Sequence, residues 1–158
     1  MNPNKLHDVI VRICTRYRYK DELSRARVTK LVYLADWVSS LHYGGPITNT
    51  QWVFNHYGPY VGDVPATVAS SPVLMESPET NAFGSPKRVI TAVPGAVDGL
   101  SDSERAVVDA VLGHTESMTF TKFIDYVYDS YPIRASKRYD TLDLGAFAAQ
   151  AQQQGIRY

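Results

Sequence analysis

The side chains that could do chemistry are few: His7, His42, His56 and His114, the single cysteine Cys14, and a crowd of cations between Arg12 and Lys30. No two histidines have the His-Glu-x-x-His spacing that aims two imidazoles at one ion, and one cysteine cannot make a Cys-x-x-Cys pair. There is no Gly-x-Ser-x-Gly elbow to expose a nucleophile and no glycine-rich loop to cradle a phosphate. Cys14 lies seven residues after His7, close enough to share a helix face. It also lies on an apolar stripe, where a thiol is a small hydrophobe with a raised pKa. The reading is of no catalytic residues, no metal and no cofactor.

Two constellations remain. Arg12, Arg16, Arg18, Lys20, Arg25, Arg27 and Lys30, interleaved with Tyr17 and Tyr19, have the composition that contacts phosphates and stacks on bases. The competing reading is a solvated end of two helices, and the chain carries no net positive charge, so nucleic acid is the less favoured partner. Tyr33, Asp36, Trp37 and Ser40 recur at spacings of three and four and share a helix face. An aromatic anchor beside an acceptor is the chemistry of binding hot spots, and it is equally the chemistry of a packed Trp beside a structural carboxylate.

The elements that would position these groups follow from periodicity. Leu6, Val9, Ile10, Ile13, Cys14 and Tyr17 place a helix over about 4–17, with Asn4 as its N-cap. A second helix runs from about Ser24 to Tyr43. It is apolar nearly all round, as a helix buried on several sides must be, and Gly44-Gly45-Pro46 stops it. Ile47 to His56 reads as a short strand or extended segment, Tyr57-Gly58-Pro59-Tyr60 as a turn, and Asp63 as the cap of a short helix with Val64, Val68 and Ala69 inward. Pro72 to Val93 reads as a hairpin of Val73–Met75 with Arg88–Val93, its loop holding Pro78, Gly84 and Pro86. Ser101-Asp102-Ser103-Glu104 is a capping box opening a helix to about Leu112. Phe120, Phe123, Ile124, Val127, Tyr128 and Tyr131 predict a helix stopped by Pro132. Thr141 or Asp143 caps a final helix over about 142–154.

The 158 residues, 44% hydrophobic and 20% charged, suit one globular domain over 1–158. The class is α+β: mostly helical around a central apolar helix, with a small β-hairpin or sheet. Residues 1–60 carry eight basic and four acidic side chains, and residues 61–133 carry four and ten. Such a charge dipole can steer a partner of complementary face. No apolar run is long enough to span a bilayer, the start lacks a secretory leader's apolar segment, and a lone cysteine suits a reducing cytoplasm.

Lys30-Leu31-Val32-Tyr33-Leu34-Ala35-Asp36-Trp37, then Tyr43-Gly44-Gly45-Pro46-Ile47-Thr48, then Phe54 and Tyr57-Gly58-Pro59-Tyr60-Val61, in that order, resemble the SocA-like antitoxin family, or Panacea domain. The resemblance is strongest over 28–64. It extends more loosely through Leu100–Glu104 and Phe123–Pro132, although Ile133 stands where members often carry an aromatic. It implies a bacterial or phage toxin–antitoxin module and a cognate toxin protein as partner. Direct neutralisation is the leading mechanism. The alternatives are an adaptor that hands a toxin to a bacterial protease and a nucleic-acid-binding regulator using Arg12, Arg16, Arg18, Arg25 and Arg27. A homodimer stands open as well, and no enzymatic activity is implied. Tyr33, Asp36, Trp37, Tyr57, Gly58, Pro59 and Tyr60 are the motif and candidate partner-binding residues.

Overall fold

A computed structural model describes residues 5–80 and 83–155. Leu6, Val9, Ile10, Ile13 and Cys14 of α1 (Lys5–Arg16) all point into the core, as their spacing requires. The expected cap at Asn4 lies outside the described residues. A 3-10 turn over Lys20–Glu22 leads to α2 (Arg25–Tyr43), opened by Ser24, whose hydroxyl accepts from the Arg27 N–H. Gly44 closes α2 in the left-handed conformation (φ 83°), returning its N–H to the Ser40 carbonyl. This is the cap glycine adopts without steric cost.

The chain continues as β1 (Trp52–Asn55), β2 (Gly58–Tyr60), α3 (Asp63–Ser70), β3 (Leu74–Thr80), β4 (Pro86–Ala92) and α4 (Asp102–Thr115). It ends in α5 (Phe120–Tyr128), α6 (Tyr131–Arg134), β5 (Thr141–Leu142) and α7 (Leu144–Gln153). The fold is thus α+β and mostly helical. α2 is its axis: it packs against α1, α4, α7 and β2, and its Val28, Leu31, Val32, Leu34 and Ala35 are all buried. One antiparallel sheet has the order β2-β1-β5, with Val53 opposite Tyr60 and Trp52 opposite Leu142. β3 and β4 form a separate antiparallel ribbon running from Leu74↔Ala92 to Thr80↔Pro86.

Several boundaries differ from the sequence expectation, each for a local reason. Ile47 and Thr48 do not start a strand, because their N–H groups are taken by the Asp36 carboxylate. Pro78 and Pro86 lie in strands and not in a loop. In a two-stranded ribbon alternate N–H groups face outward, so proline there need not cost a ladder bond. Asp63 is the first residue of α3, with no side-chain cap bond at its N-terminus, and Ala69 is exposed. Pro132 does not stop a helix either. α5 ends at Tyr128, Ser130 turns extended, and Pro132 sits in the first turn of α6, where no N–H partner is needed. The capping box at Ser101 and Glu104 and the Asp143 cap, accepting from the Ala146 N–H, form as expected.

Candidate functional site

The motif residues separate into an inner and an outer set. Tyr33, Asp36 and Trp37 are all buried. The Ser130 hydroxyl donates to the Val127 carbonyl at 2.6 Å, so in the 2.8 Å bond between Tyr33 and Ser130 the tyrosine donates. Tyr33 also meets Trp52 edge-on, with ring centroids 5.6 Å apart.

Asp36 accepts from the Ile47 N–H at 3.0 Å, the Thr48 N–H at 2.9 Å, the Thr48 hydroxyl and the Trp52 indole N–H at 2.9 Å. Complete burial pushes its pKa up to about 6, although all four donors pull the other way. The carboxylate thereby ties the loop after Gly44-Gly45-Pro46 and the start of β1 to the middle of α2. Trp37 packs in the core with its indole N–H unpartnered among the described residues. These three side chains hold the fold. As a surface anchor with an adjacent acceptor, the second role their spacing allows, they are not accessible.

The outer set is carried by the two-residue turn His56–Tyr57 and by β2, so Gly58, Pro59 and Tyr60, expected as part of a turn, form a short strand. Gly58 has φ 102°, a conformation that favours glycine, and a Cβ there would meet the Tyr128 ring at 3.6 Å, ordinary contact. The backbone angle, more than crowding, calls for Gly58. Gly58 and Pro59 are buried, whereas Tyr57 (84% exposed) and Tyr60 (42%) stand outward. β2 is a three-residue edge strand with a proline at its centre. It therefore offers little backbone for a partner strand to pair with, and recognition here falls to side chains.

Between this turn and the first half of α2 lies a groove of about 380 Å³, lined by Arg25, Thr29, Lys30 and Asn55 to Tyr60 among others. Arg25 holds Glu76 of β3 through its terminal N–H groups at 2.9 Å. Lys30 is only 5% exposed, and its ammonium has no hydrogen-bond or ion-pair partner among the described residues. Burial alone pushes its pKa down.

Beside the groove, Tyr139 (63% exposed) sets its ring edge-on to His56 at 5.5 Å, with its hydroxyl 3.0 Å from a His56 ring nitrogen. Tyr139 is the one non-glycine residue with positive φ (75°) among the described residues. That backbone strain costs on the order of 1–3 kcal/mol, and the conformation carries the ring next to the Tyr57 turn. Arg138 donates to the His56 carbonyl at 3.3 Å and lies over the Phe54 ring. Exposed tyrosines with arginines at their edge are the composition of protein-binding hot spots.

The basic run does not assemble into one cationic face. Arg12 grips Asp109 with two bonds (2.6 and 3.0 Å) and reaches Asp98 at 3.5 Å. Arg25 is paired with Glu76. Arg27 is buried, donates to the Tyr17 hydroxyl at 3.2 Å and stacks over Phe123 at 4.9 Å. Arg18 lies over its neighbour Tyr19, and Arg16 is exposed. Among the described residues no three of His, Cys, Asp and Glu could hold a metal ion, and no helix is long and apolar enough to cross a membrane. Sequence reasoning gave no role to His56 and did not single out Arg138 or Tyr139; it placed Lys30 in the basic run and at the head of the family motif, but not among the candidate binding residues. The positive φ of a tyrosine leaves no trace in composition or periodicity.

A family model described as antitoxin SocA-like, Panacea domain, matches residues 28–132. No curated protein and no solved structure matches the chain. The matched stretch contains Lys30, the Asp36 hub and the Tyr57–Tyr60 turn, while Arg25, Arg138 and Tyr139 lie outside it.

Proposed function

We propose, from the premise that this chain belongs to the antitoxin SocA-like, Panacea domain family, that it neutralises a cognate toxin protein by binding it directly. Neutralisation by binding needs no turnover, and we assign the protein no catalytic role. The observation that carries the reading is the groove between α2 and the Tyr57–Tyr60 turn, with Tyr57, Tyr60 and Tyr139 exposed around it. Tyrosine gives large, rigid contact area with one polar end, so such a rim binds at small cost in side-chain entropy. The buried motif residues serve this surface indirectly: Asp36 and Trp52 fix β1, and β1 presents the turn.

The encounter would take place in the cytoplasm, where a toxin made in the same cell would be met. Co-expression with the toxin encoded beside this gene, followed by size-exclusion chromatography, tests the reading. The expected result is restored growth, a stable complex and an unchanged amount of toxin. Restored growth with loss of the toxin, dependent on a bacterial protease, would instead make the protein an adaptor. No complex, with DNA binding that weakens steeply with salt, would make it a regulator.

A further inference from the structure

A mostly buried lysine without a partner is costly, because its ammonium gives up part of its hydration and nothing in the folded chain replaces it. Lys30 is in that position: it lines the groove, is 5% exposed, and has no hydrogen bond or ion pair among the described residues. Its Nζ is not among the fully enclosed unpartnered atoms, so the ammonium keeps a foothold in the solvent that fills the groove. The partly buried Arg12 has Asp98 and Asp109 as counter-charges. Arg27 has no carboxylate either and its Nε is unpartnered among the described residues, but it lies away from the groove, donates to the Tyr17 hydroxyl and stacks on two aromatic rings. Arg25, on the groove's edge, is already paired with Glu76. Of the cations that line the groove, Arg25 and Lys30, Lys30 is the one without a counter-charge among the described residues. The surrounding wall supplies Ala26, Pro59 and the rings of Tyr57 and Tyr60, which suit an apolar side chain.

We propose that the groove receives a segment of the toxin in which a carboxylate, from an acidic side chain or the chain terminus, sits next to an apolar residue, and that Lys30 pairs with that carboxylate. This rests on the direct-binding reading above. Charge complementarity selects the occupant: an anion satisfies the ammonium, whereas a neutral or basic segment leaves it unpaired. The blunt, proline-containing β2 edge excludes strand addition as the main mode. The unbound protein already carries part of the desolvation penalty, so the pair is partly pre-organised before binding.

Two measurements test the assignment. In calorimetry with the purified toxin, Lys30→Met should raise Kd by about 30-fold or more, the usual effect of truncating one side of a buried charge pair. The melting temperature of the free variant should equal or exceed that of wild type, which a merely structural lysine would not do. Lys30→Met binding toxin within about twofold of wild type would overturn the proposal while leaving direct binding intact.

The second arm uses the unmodified chain and no toxin. Wild-type protein carrying 13C-labelled lysine is titrated with N-acetyl-leucinate and with N-acetyl-leucinamide. The Lys30 side-chain signal should move with the carboxylate and stay with the amide. Equal movement, or none, would overturn the proposal. Movement with the carboxylate alone, combined with no toxin binding by wild type, would support the anion site and remove direct binding.

Discussion

Replacing Asp36 separates its two opposing contributions. In Asp36→Ala the N–H groups of Ile47, Thr48 and Trp52 lose their acceptor in a site with no exposure. The Thr48 hydroxyl can turn to Thr50, 2.9 Å away. Three orphaned donors at about 1–3 kcal/mol each give roughly 3–9 kcal/mol of loss. Against this, a pKa raised from 3.8 to about 6 shows that burial disfavours the charge by more than all the donors return, so the loss falls toward the lower end of that range. A loss of about 3 kcal/mol lowers Tm by roughly 6–12 °C in a domain of this size.

Asp36→Asn keeps an oxygen for the two backbone donors and can donate to Thr48, leaving only the Trp52 N–H opposed. It should lie within about 1 kcal/mol of wild type. The pH dependence has a definite sign. Between about pH 4 and 6 the folded state holds a proton that the unfolded state has lost. Stability relative to Asp36→Asn therefore falls as pH rises through that window and is level above it. Denaturant melts of the three proteins at several pH values provide the measurement. An alanine variant as stable as wild type, or a wild-type advantage that grows with pH, would refute the reasoning.

Gly58→Ala forces φ 102° on an alanine and should cost on the order of 1–2 kcal/mol, while Gly45→Ala, with open space and an ordinary φ, should be near neutral; thermal melts compare the two. For Asp98, burial opposes the charge, but Arg105, the Leu100 N–H and Arg12 outweigh it and hold the pKa below 3.8. Asp98→Asn should cost about 1–3 kcal/mol. That contribution is fully present above about pH 4 and fades as pH falls through the lowered folded value, which acid titration of the two proteins reads directly. The Cys14 thiol is pushed up to about 12 by burial and sits 3.7 Å from the Ile90 carbonyl. It should resist a thiol reagent in the native protein and react once denaturant unfolds it; fast native labelling would contradict its placement.

The helical frame was legible because its signals are local. α2 announces itself by being apolar nearly all round, Gly44 by the left-handed cap, and Ser101 with Glu104 by a capping box whose two bonds both form. What could not be read depends on contacts distant in sequence. β5 exists because Thr141 and Leu142 meet Val53 and Trp52, and two residues carry no strand period. Pro132 looked like a stop because proline opposes a continuing helix, yet the same residue opens one when the preceding Ser130 is extended. Within the site, Tyr33, Asp36 and Trp37 share a face as their spacing requires. Whether that face meets solvent or β1 was a question about tertiary packing, and Trp52 decides it. His56 and Tyr139 come together across 83 residues, and single-sequence periodicity has no signal for that.

The most direct test of toxin binding through the groove is the affinity of a Tyr57→Ala, Tyr60→Ala double variant for the cognate toxin. Both side chains stand outward, so the variant should melt with wild-type cooperativity. The account predicts that Kd rises by at least about 30-fold, the scale of losing a hot-spot anchor, with growth rescue lost in parallel. A folded double variant that binds the toxin with wild-type affinity would contradict it.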